Sequence, residues 1–463
     1  LLHKQINVSD VELNNGRVRL TRTEPDSVNN YDFVLKAFID PNAPKDTTAS
    51  ALKYDIGKAR LNNIYFTQND QVTGSDIRAK IGEFTANMDA VNVDKSIYKV
   101  DNAALHRAAI SIVQTKTAPQ VDNPAPTKPL TVQFGLNHAT LDSVAFTYKN
   151  SPAAQFISTT IGLADITAKN IDLRKERINL TKLTLKNTRF AYAQNEAVPV
   201  VQRVVNPAEA VRKLDEAAQK TTGQPLEWRV NLDQSDISGL DVAFDNFNKP
   251  QQKTRLPALD YNHLHFSDLV LNTRDFNFSA NRTTAKVENL AGREQSGFKV
   301  DKWRANVVYD SVQIRLDSLD LMTPHTRIRR SLAIGYESLA ALGTVKKLPN
   351  LKITGDLREV RLGFRDILYL APQLAGTSPF NTGPNQSVLL NGQIAGRVGD
   401  FTVRNFEFVG LRNTILKARR GRIQGLPNTD SRLYADLDIQ QLSTSRADIL
   451  SLAPKGSIPN NIS

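Results

Sequence analysis

The chain of 463 residues has no cysteine, which removes disulfides, thiolate metal sites and cysteine nucleophiles together. No apolar run approaches the roughly 18 to 20 residues of a membrane span. No basic-then-apolar leader precedes the first strand-like segment, and no G-x-x-x-x-G-K loop is present to hold a phosphate. The six histidines include one close pair, His263 and His265, two apart on a strand and so on one face. Neither cysteine nor a third nearby histidine completes a metal site there, and a polar sheet face is the simpler reading. His106, His138 and His325 have no Ser-x-Gly elbow or paired carboxylate beside them, so neither an enzyme nor a cofactor is expected.

What the chain does contain is repetition. Ile161 to Gln194 repeats the pattern of Ile81 to Gln114 without a gap. Apolar pairs spaced by two recur at matching places: Ile171 and Leu173 over Val91 and Val93, Ile178 and Leu180 over Tyr98 and Val100, Phe190 and Tyr192 over Ile110 and Ile112. Leu183 and Leu185 fall between them. Period two marks strands with one buried face, and repetition of such units decides the architecture. Ala59, Leu61 and Phe66 anticipate Ala139, Leu141 and Phe146 at the same spacing, so the duplicated unit begins near Leu52.

The expected organisation is N-terminal strands over 1–51, a first β-repeat over 52–131 and a second over 132–206. A helix follows over 207–223, then a divergent repeat over 224–300 and two C-terminal repeats over 301–384 and 385–463. Residues 6–20 alternate around Asn14-Asn15-Gly16, a hairpin signature, and YDFVLKAFID from Tyr31 is a further strand candidate. Asn206 and Pro207 suit a helix start and Gly223 its end. GLDVAFDN from Gly239 echoes DSVAFTYKN from Asp142. In the last third DILYLAP at Asp366 returns as DILSLAP at Asp448, a helical turn closing a set of strands, and Leu319/Leu321 resemble Phe406/Phe408. The glycines from Gly392 to Gly399 read as turns. The fold class is all-β and elongated: repeated antiparallel strands forming a curled sheet with one inserted amphipathic helix.

The formal charge of +12 allows an anionic partner. Arg327, Arg329 and Arg330, with Lys417, Arg419 and Arg420, could meet phosphate headgroups; solvated strand faces are the plainer reading. Nucleic acid is not expected, because the aromatics alternate with aliphatics as core residues do rather than forming stacking platforms. The apolar face itself must bury against something. If the sheets close on one another it is a dry core. If the sheet stays open, the same residues line a trough suited to lipid acyl chains.

Blocks such as LTLKNTRFAYAQ, ATLDSVAFTYKN and ARLNNIYFTQ, with the recurring D-I-L-x-L-A-P turns, resemble the AsmA-like superfamily, nearest to its TamB-like large subunits. The resemblance implies a curled β-groove crossing the periplasm of Gram-negative bacteria. It also implies an inner-membrane anchor, phospholipid movement to the outer membrane and an outer-membrane barrel partner. Because the chain starts at Leu1, it is expected to be part of something longer, with any anchor outside it. The expected function is a non-enzymatic lipid conduit; the alternative is an envelope scaffold with a closed core. A polysaccharide-cleaving solenoid is disfavoured, since its rungs repeat at about 20 to 30 residues and need clustered carboxylates.

Overall fold

The computed structural model describes residues 5–25, 27–33, 53–92, 97–117, 133–172, 175–195, 228–252, 254, 256–337, 345–381, 383–426 and 434–452. Among them are 19 strands and α-helices of only seven residues. The chain divides into two compact units, Leu1–Leu232 with Ile237–Pro250, and Asp233–Asp236 with Gln251–Ser463. The helix expected over 207–223 lies outside the described residues.

The first unit is a mixed sheet of β1 (Gln5–Asn14), β2 (Arg17–Arg22), β3 (Lys53–Asp70), β4 (Ser75–Asn92), β5 (Ile97–Gln114), β6 (Gln133–Asn150), β7 (Gln155–Asp172), β8 (Arg177–Gln194) and β9 (Arg229–Asn246). Strands β3 to β9 each hold 18 residues, and β6, β7 and β8 begin 80 residues after β3, β4 and β5. Within each three-strand block the neighbours are antiparallel, whereas β5 meets β6 in parallel. β9 also runs with β8: Arg229 N–H donates to the Glu176 carbonyl at 2.8 Å and Phe247 N–H to that of Gln194 at 2.9 Å.

The expected N-terminal hairpin does not form. Both β1 and β2 pair in parallel with β3, from Gln5↔Lys53 to Arg22↔Asp70 at one constant offset, so the two are a single strand interrupted at Asn15-Gly16. Asn15 has φ 54° and steps the chain sideways instead of reversing it. Residues 31–33, expected to begin a strand, sit in a turn and the start of a helical segment.

The same step recurs across the whole sheet. Asn63, Arg107, Ser143, Asn187 and Gly239 all have φ between 49° and 61°. Each is the eleventh residue of its strand. On the intervening antiparallel strands the register sets Gly82 opposite Arg107 and Gly162 opposite Asn187. A Cβ on Gly82 would lie 2.9 Å from the Arg107 carbonyl oxygen, and one on Gly162 2.8 Å from that of Asn187. The third repeat therefore aligns differently from the expected echo: Gly239, not Asp241, stands where Ser143 stands.

The second unit is antiparallel between successive strands: β10 (His263–Ser279), β11 (Arg282–Glu294), β12 (Lys299–Asp310), β13 (Gln313–Met322), β14 (Arg327–Gly335), β15 (Lys352–Gly363), β16 (Ser387–Arg397), β17 (Asp400–Gly410), β18 (Thr414–Gln424) and β19 (Tyr434–Ser443). Among the described residues no registered pairing joins β10 to β19 or β1 to β9, so neither unit closes on itself as a barrel. Gly392 and Gly396, expected in turns, lie inside β16 at φ 119° and 142°, Gly392 at a register shift and Gly396 paired with Phe401.

The D-I-L-x-L of each string completes a short helix, α1 (Phe364–Leu370) and α2 (Arg446–Leu452), and its aspartate is buried. Asp366 accepts the Thr323 hydroxyl in the β13–β14 turn. Asp448 accepts the backbone N–H groups of Arg412 at 3.1 Å and Asn413 at 2.8 Å and the Thr414 hydroxyl at 2.9 Å, all at the β17–β18 turn. The repeated aspartate is thus a clasp from a helix onto an earlier turn. Burial alone would raise the Asp448 pKa. The bonds from Asn413, Thr414 and Arg412, with the charge of Arg412, outweigh burial and hold the carboxyl below its ordinary 3.8.

Two outcomes are expected. Gly162→Val forces the Asn187 backbone aside and should cost about 1–3 kcal/mol in denaturant unfolding; Gly135→Ala, whose Cβ meets nothing closer than 3.5 Å, should cost little. Because the folded pKa of Asp448 is depressed, its stabilisation is present above 3.8 and disappears as pH falls through the lower folded value. Asp448→Ala should cost about 1–3 kcal/mol at neutral pH and remove that part of the acid sensitivity, both read from urea unfolding across pH.

An apolar sheet face as the candidate functional site

Residues paired across neighbouring strands share a face, so the registers show which side chains meet. Leu61, Phe84, Leu105, Leu141, Ala164 and Leu185 form one transverse row. Ala59, Ala86, Ala103, Ala139, Ile166 and Leu183 form the next. Beyond the line of left-handed residues come Phe66, Ala79, Ile110, Phe146, Thr159 and Phe190, then Gln68, Ile77, Ile112, Tyr148, Ile157 and Tyr192. Tyr192 stacks on Phe244 of β9 with ring centroids 5.8 Å apart.

Leu185 and Phe190 are five residues apart, an odd spacing that would put them on opposite faces of a regular strand. The left-handed Asn187 absorbs one residue, so both stay on the same side. Leu180 and Leu183 are likewise separated by an odd step, and register shifts between Thr167 and Asn170 absorb it, keeping Leu180 beside Ala168. Val100 joins Met88 and Leu136, Tyr98 joins Phe134, and Ile178 joins Ile171. Among the expected lining residues of this unit, Tyr98, Val100, Ile110, Ile112, Ile171, Ile178, Leu180, Leu183, Leu185, Phe190 and Tyr192 thus lie on one face. The backbone of Val91 pairs with Tyr98; Val93 and Leu173 lie outside the described residues.

Among the described residues of this unit the face is packed by its own neighbours. Its buried hydrophobics are mainly alanines, with Ile64 at 5% and Val144 at 5% exposure beside the left-handed line, while Phe190 stays 40% exposed. The opposite face is polar. There Arg107 meets Glu83 at 3.4 Å, His106 meets Asp142 at 3.5 Å and His138 meets Asp165 at 3.0 Å. The Ser143 hydroxyl and then His106 draw the Asp142 pKa below its ordinary range. A polar cleft of about 580 Å³ at one end holds Glu24, Asp70, Asp76, Arg78 and Lys116, with Lys116 on Glu24 at 2.5 Å and Arg78 on Asp76 at 2.9 Å.

The second unit treats its apolar face differently. Leu319, Phe406 and Val403 are buried, and Tyr336 and Leu351 form a filled core with Tyr309, Ile314, Leu348 and Val398. Phe364 and Leu368 of α1 are also buried, with Phe364 edge-on to Phe380 at 4.9 Å. Leu321 pairs with Trp303 and Ile328, and Phe408 with Leu390 and Leu416.

Of the basic residues, Arg329, Arg330, Lys417 and Arg419 reach Asp320, Asp356, Glu407 and Asp438 at 3.7, 3.9, 3.1 and 3.6 Å. Their charge is engaged within the sheet. Arg327 and Arg420 instead stand directly across from arginines, Arg361 and Arg404. His263 is buried on β10, and among the described residues no group of three or more His, Cys, Asp or Glu could hold a metal ion. No described helix is long and apolar enough to cross a membrane. Sequence comparison finds no matching protein family and no matching curated protein.

Charge placed on the exposed row should be tolerated structurally where charge on the buried row is not. Phe190→Lys should leave the unfolding midpoint nearly unchanged, whereas Val144→Lys, which buries an unpaired ammonium, should cost several kcal/mol in the same denaturant titration.

Proposed function

We propose that the first unit carries lipid acyl chains on its apolar face, as part of a periplasmic conduit between the membranes of a Gram-negative envelope. The observation that carries the reading is a continuous field of Leu, Ile, Phe and Tyr that remains partly accessible in a single-layer sheet. Leaving it wet forgoes about 25 cal/mol per Å². A bare 16-carbon chain in water carries a similar penalty, on the order of 10 kcal/mol, so each offsets the exposure of the other. The AsmA-like resemblance supports the same reading and supplies the envelope setting, the tether and the barrel partner. No chemical step is required of any side chain. Arg327 and Arg420, whose cross-strand neighbours are also cationic, are the residues proposed to meet headgroup phosphate.

The second unit favours a second reading, an envelope scaffold with a dry core that docks a barrel-assembly partner, because Tyr336, Leu351, Phe364 and Leu368 are buried within it. One measurement separates the two. Native extraction followed by lipid mass spectrometry should find phospholipid with the wild-type chain, and glutamate at Leu180, Leu183 and Leu185 together should reduce it at least tenfold while the β-type circular dichroism is kept. Background lipid in the wild type selects the scaffold, and undiminished lipid in the folded triple variant removes the proposed groove.

A further inference from the structure

Arg327 of β14 stands directly across from Arg361 of β15. Both are exposed, whereas Val360, next along β15, is 2% exposed and points to the other face. We infer that these two arginines form a binding site for a phosphate group. Cations set opposite one another destabilise a sheet unless something negative lies between them. Elsewhere in this unit acids fill that role. Arg274 and Lys286 share Glu288 at 2.8 and 3.8 Å, and Arg293 and Lys299, which also face each other, take Asp268 and Asp301 at 2.5 and 2.6 Å. Among the described residues Arg327 and Arg361 make no ion pair.

Their surroundings supply no counter-charge. The row they belong to runs Lys302, Met322, Arg327, Arg361, Leu389, so the far neighbour of each arginine is apolar and exposed, Met322 at 39% and Leu389 at 45%. In the next row Asp320 is taken by Lys302 and Arg329, at 2.6 and 3.7 Å. Glu359, two residues before Arg361, sits on left-handed backbone at φ 52° and pairs with neither arginine. Arg361 Nε donates to Ser387 Oγ at 3.2 Å, which orients the guanidinium and leaves its two terminal nitrogens to bond. Two planar forks on adjacent strands can hold a tetrahedral oxyanion from two sides. Met322 and Leu389 beside them suit a phosphate that carries an apolar group. Arg404 and Arg420 face each other as well, but Gln393 lies beside Arg404 and Asp438 takes the adjacent Arg419. The inference rests on the headgroup role proposed above for Arg327, and it adds the second half of the site.

The test uses the full chain with two probes: inorganic phosphate in a calorimetric titration, and phosphatidylcholine vesicles containing phosphatidic acid in cosedimentation. At least one should bind saturably; phosphate alone identifies a free ion as the ligand, and vesicles alone a lipid headgroup. Arg327→Gln with Arg361→Gln should weaken that binding about tenfold or more. Arg274→Gln with Lys286→Gln, which removes the same charge from a neutralised pair, should leave it nearly unchanged. Without phosphate the first double variant should unfold at the same or a higher urea concentration than the wild type, since it loses a like-charge contact, so its weak binding is not loss of fold. Glutamate at Leu180, Leu183 and Leu185 should abolish lipid co-purification and leave phosphate binding intact, which reads failure of the groove apart from failure of this site. Absence of saturable binding by both probes overturns the inference, as does an equal loss in the two double variants.

Discussion

A β-strand alternates its side chains strictly, and a long strand can keep an irregular apolar pattern on one face only by losing a residue from the count. In the first unit that loss occurs at one left-handed residue in β1–β2, β3, β5, β6, β8 and β9, always at the same level, with Gly82 and Gly162 facing it on β4 and β7. Asn15, Asn63, Arg107, Ser143, Asn187 and Gly239 must all step together, because a strand that stepped alone would throw half its apolar residues to the wrong side of its neighbours. The cost falls on residues such as Arg107 and Ser143, for which left-handed backbone is disfavoured by about 1–2 kcal/mol each. It is offset locally: asparagine tolerates that conformation, and Asn63 donates to Asn15 Oδ1 at 2.8 Å, tying adjacent steps together.

The two units answer the problem of an apolar sheet face in opposite ways. In the second, tyrosine, leucine and phenylalanine side chains are buried in a core cluster and under a short helix, and the aspartate in the first turn of each short helix pins that helix to a preceding turn. In the first, alanine occupies most of the buried hydrophobic positions, with Ile64 and Val144 beside the left-handed line also buried, and most of the larger side chains stay partly accessible. Alanine lets neighbouring strands lie close while contributing little burial of its own. The stability of this unit therefore leans on ladder hydrogen bonds and cross-strand pairs, each worth about 0.2–1 kcal/mol.

Much of this was legible in the chain itself. The 80-residue duplication and the period of two located the strands, and the identity of the apolar residues located the face. The steps were written there too, in the odd gaps Leu61 to Ile64, Leu141 to Val144 and Leu185 to Phe190, but reading pairs spaced by two passes over the odd gap between pairs. Asn14-Asn15-Gly16 reads as a hairpin because asparagine and glycine favour left-handed backbone equally in a hairpin turn and in a sideways step; only the partner strand decides between them. The aspartate clasps were hidden for a different reason. Their partners lie 34 to 43 residues away, and nothing local distinguishes a buried Asp366 or Asp448 from a solvated one.

The parallel joints between blocks carry one more consequence. Asn15 and Asn63 are matched at a chain separation of 48 residues, whereas Asn102 and His138 are matched at 36, yet the crease continues through both. Register is therefore held by the strands and is indifferent to the length of chain that connects them. Such connections can lengthen, shorten or be exchanged without disturbing the ladder, so the sheet can grow by whole blocks while its connecting segments diverge freely to suit whatever surrounds them.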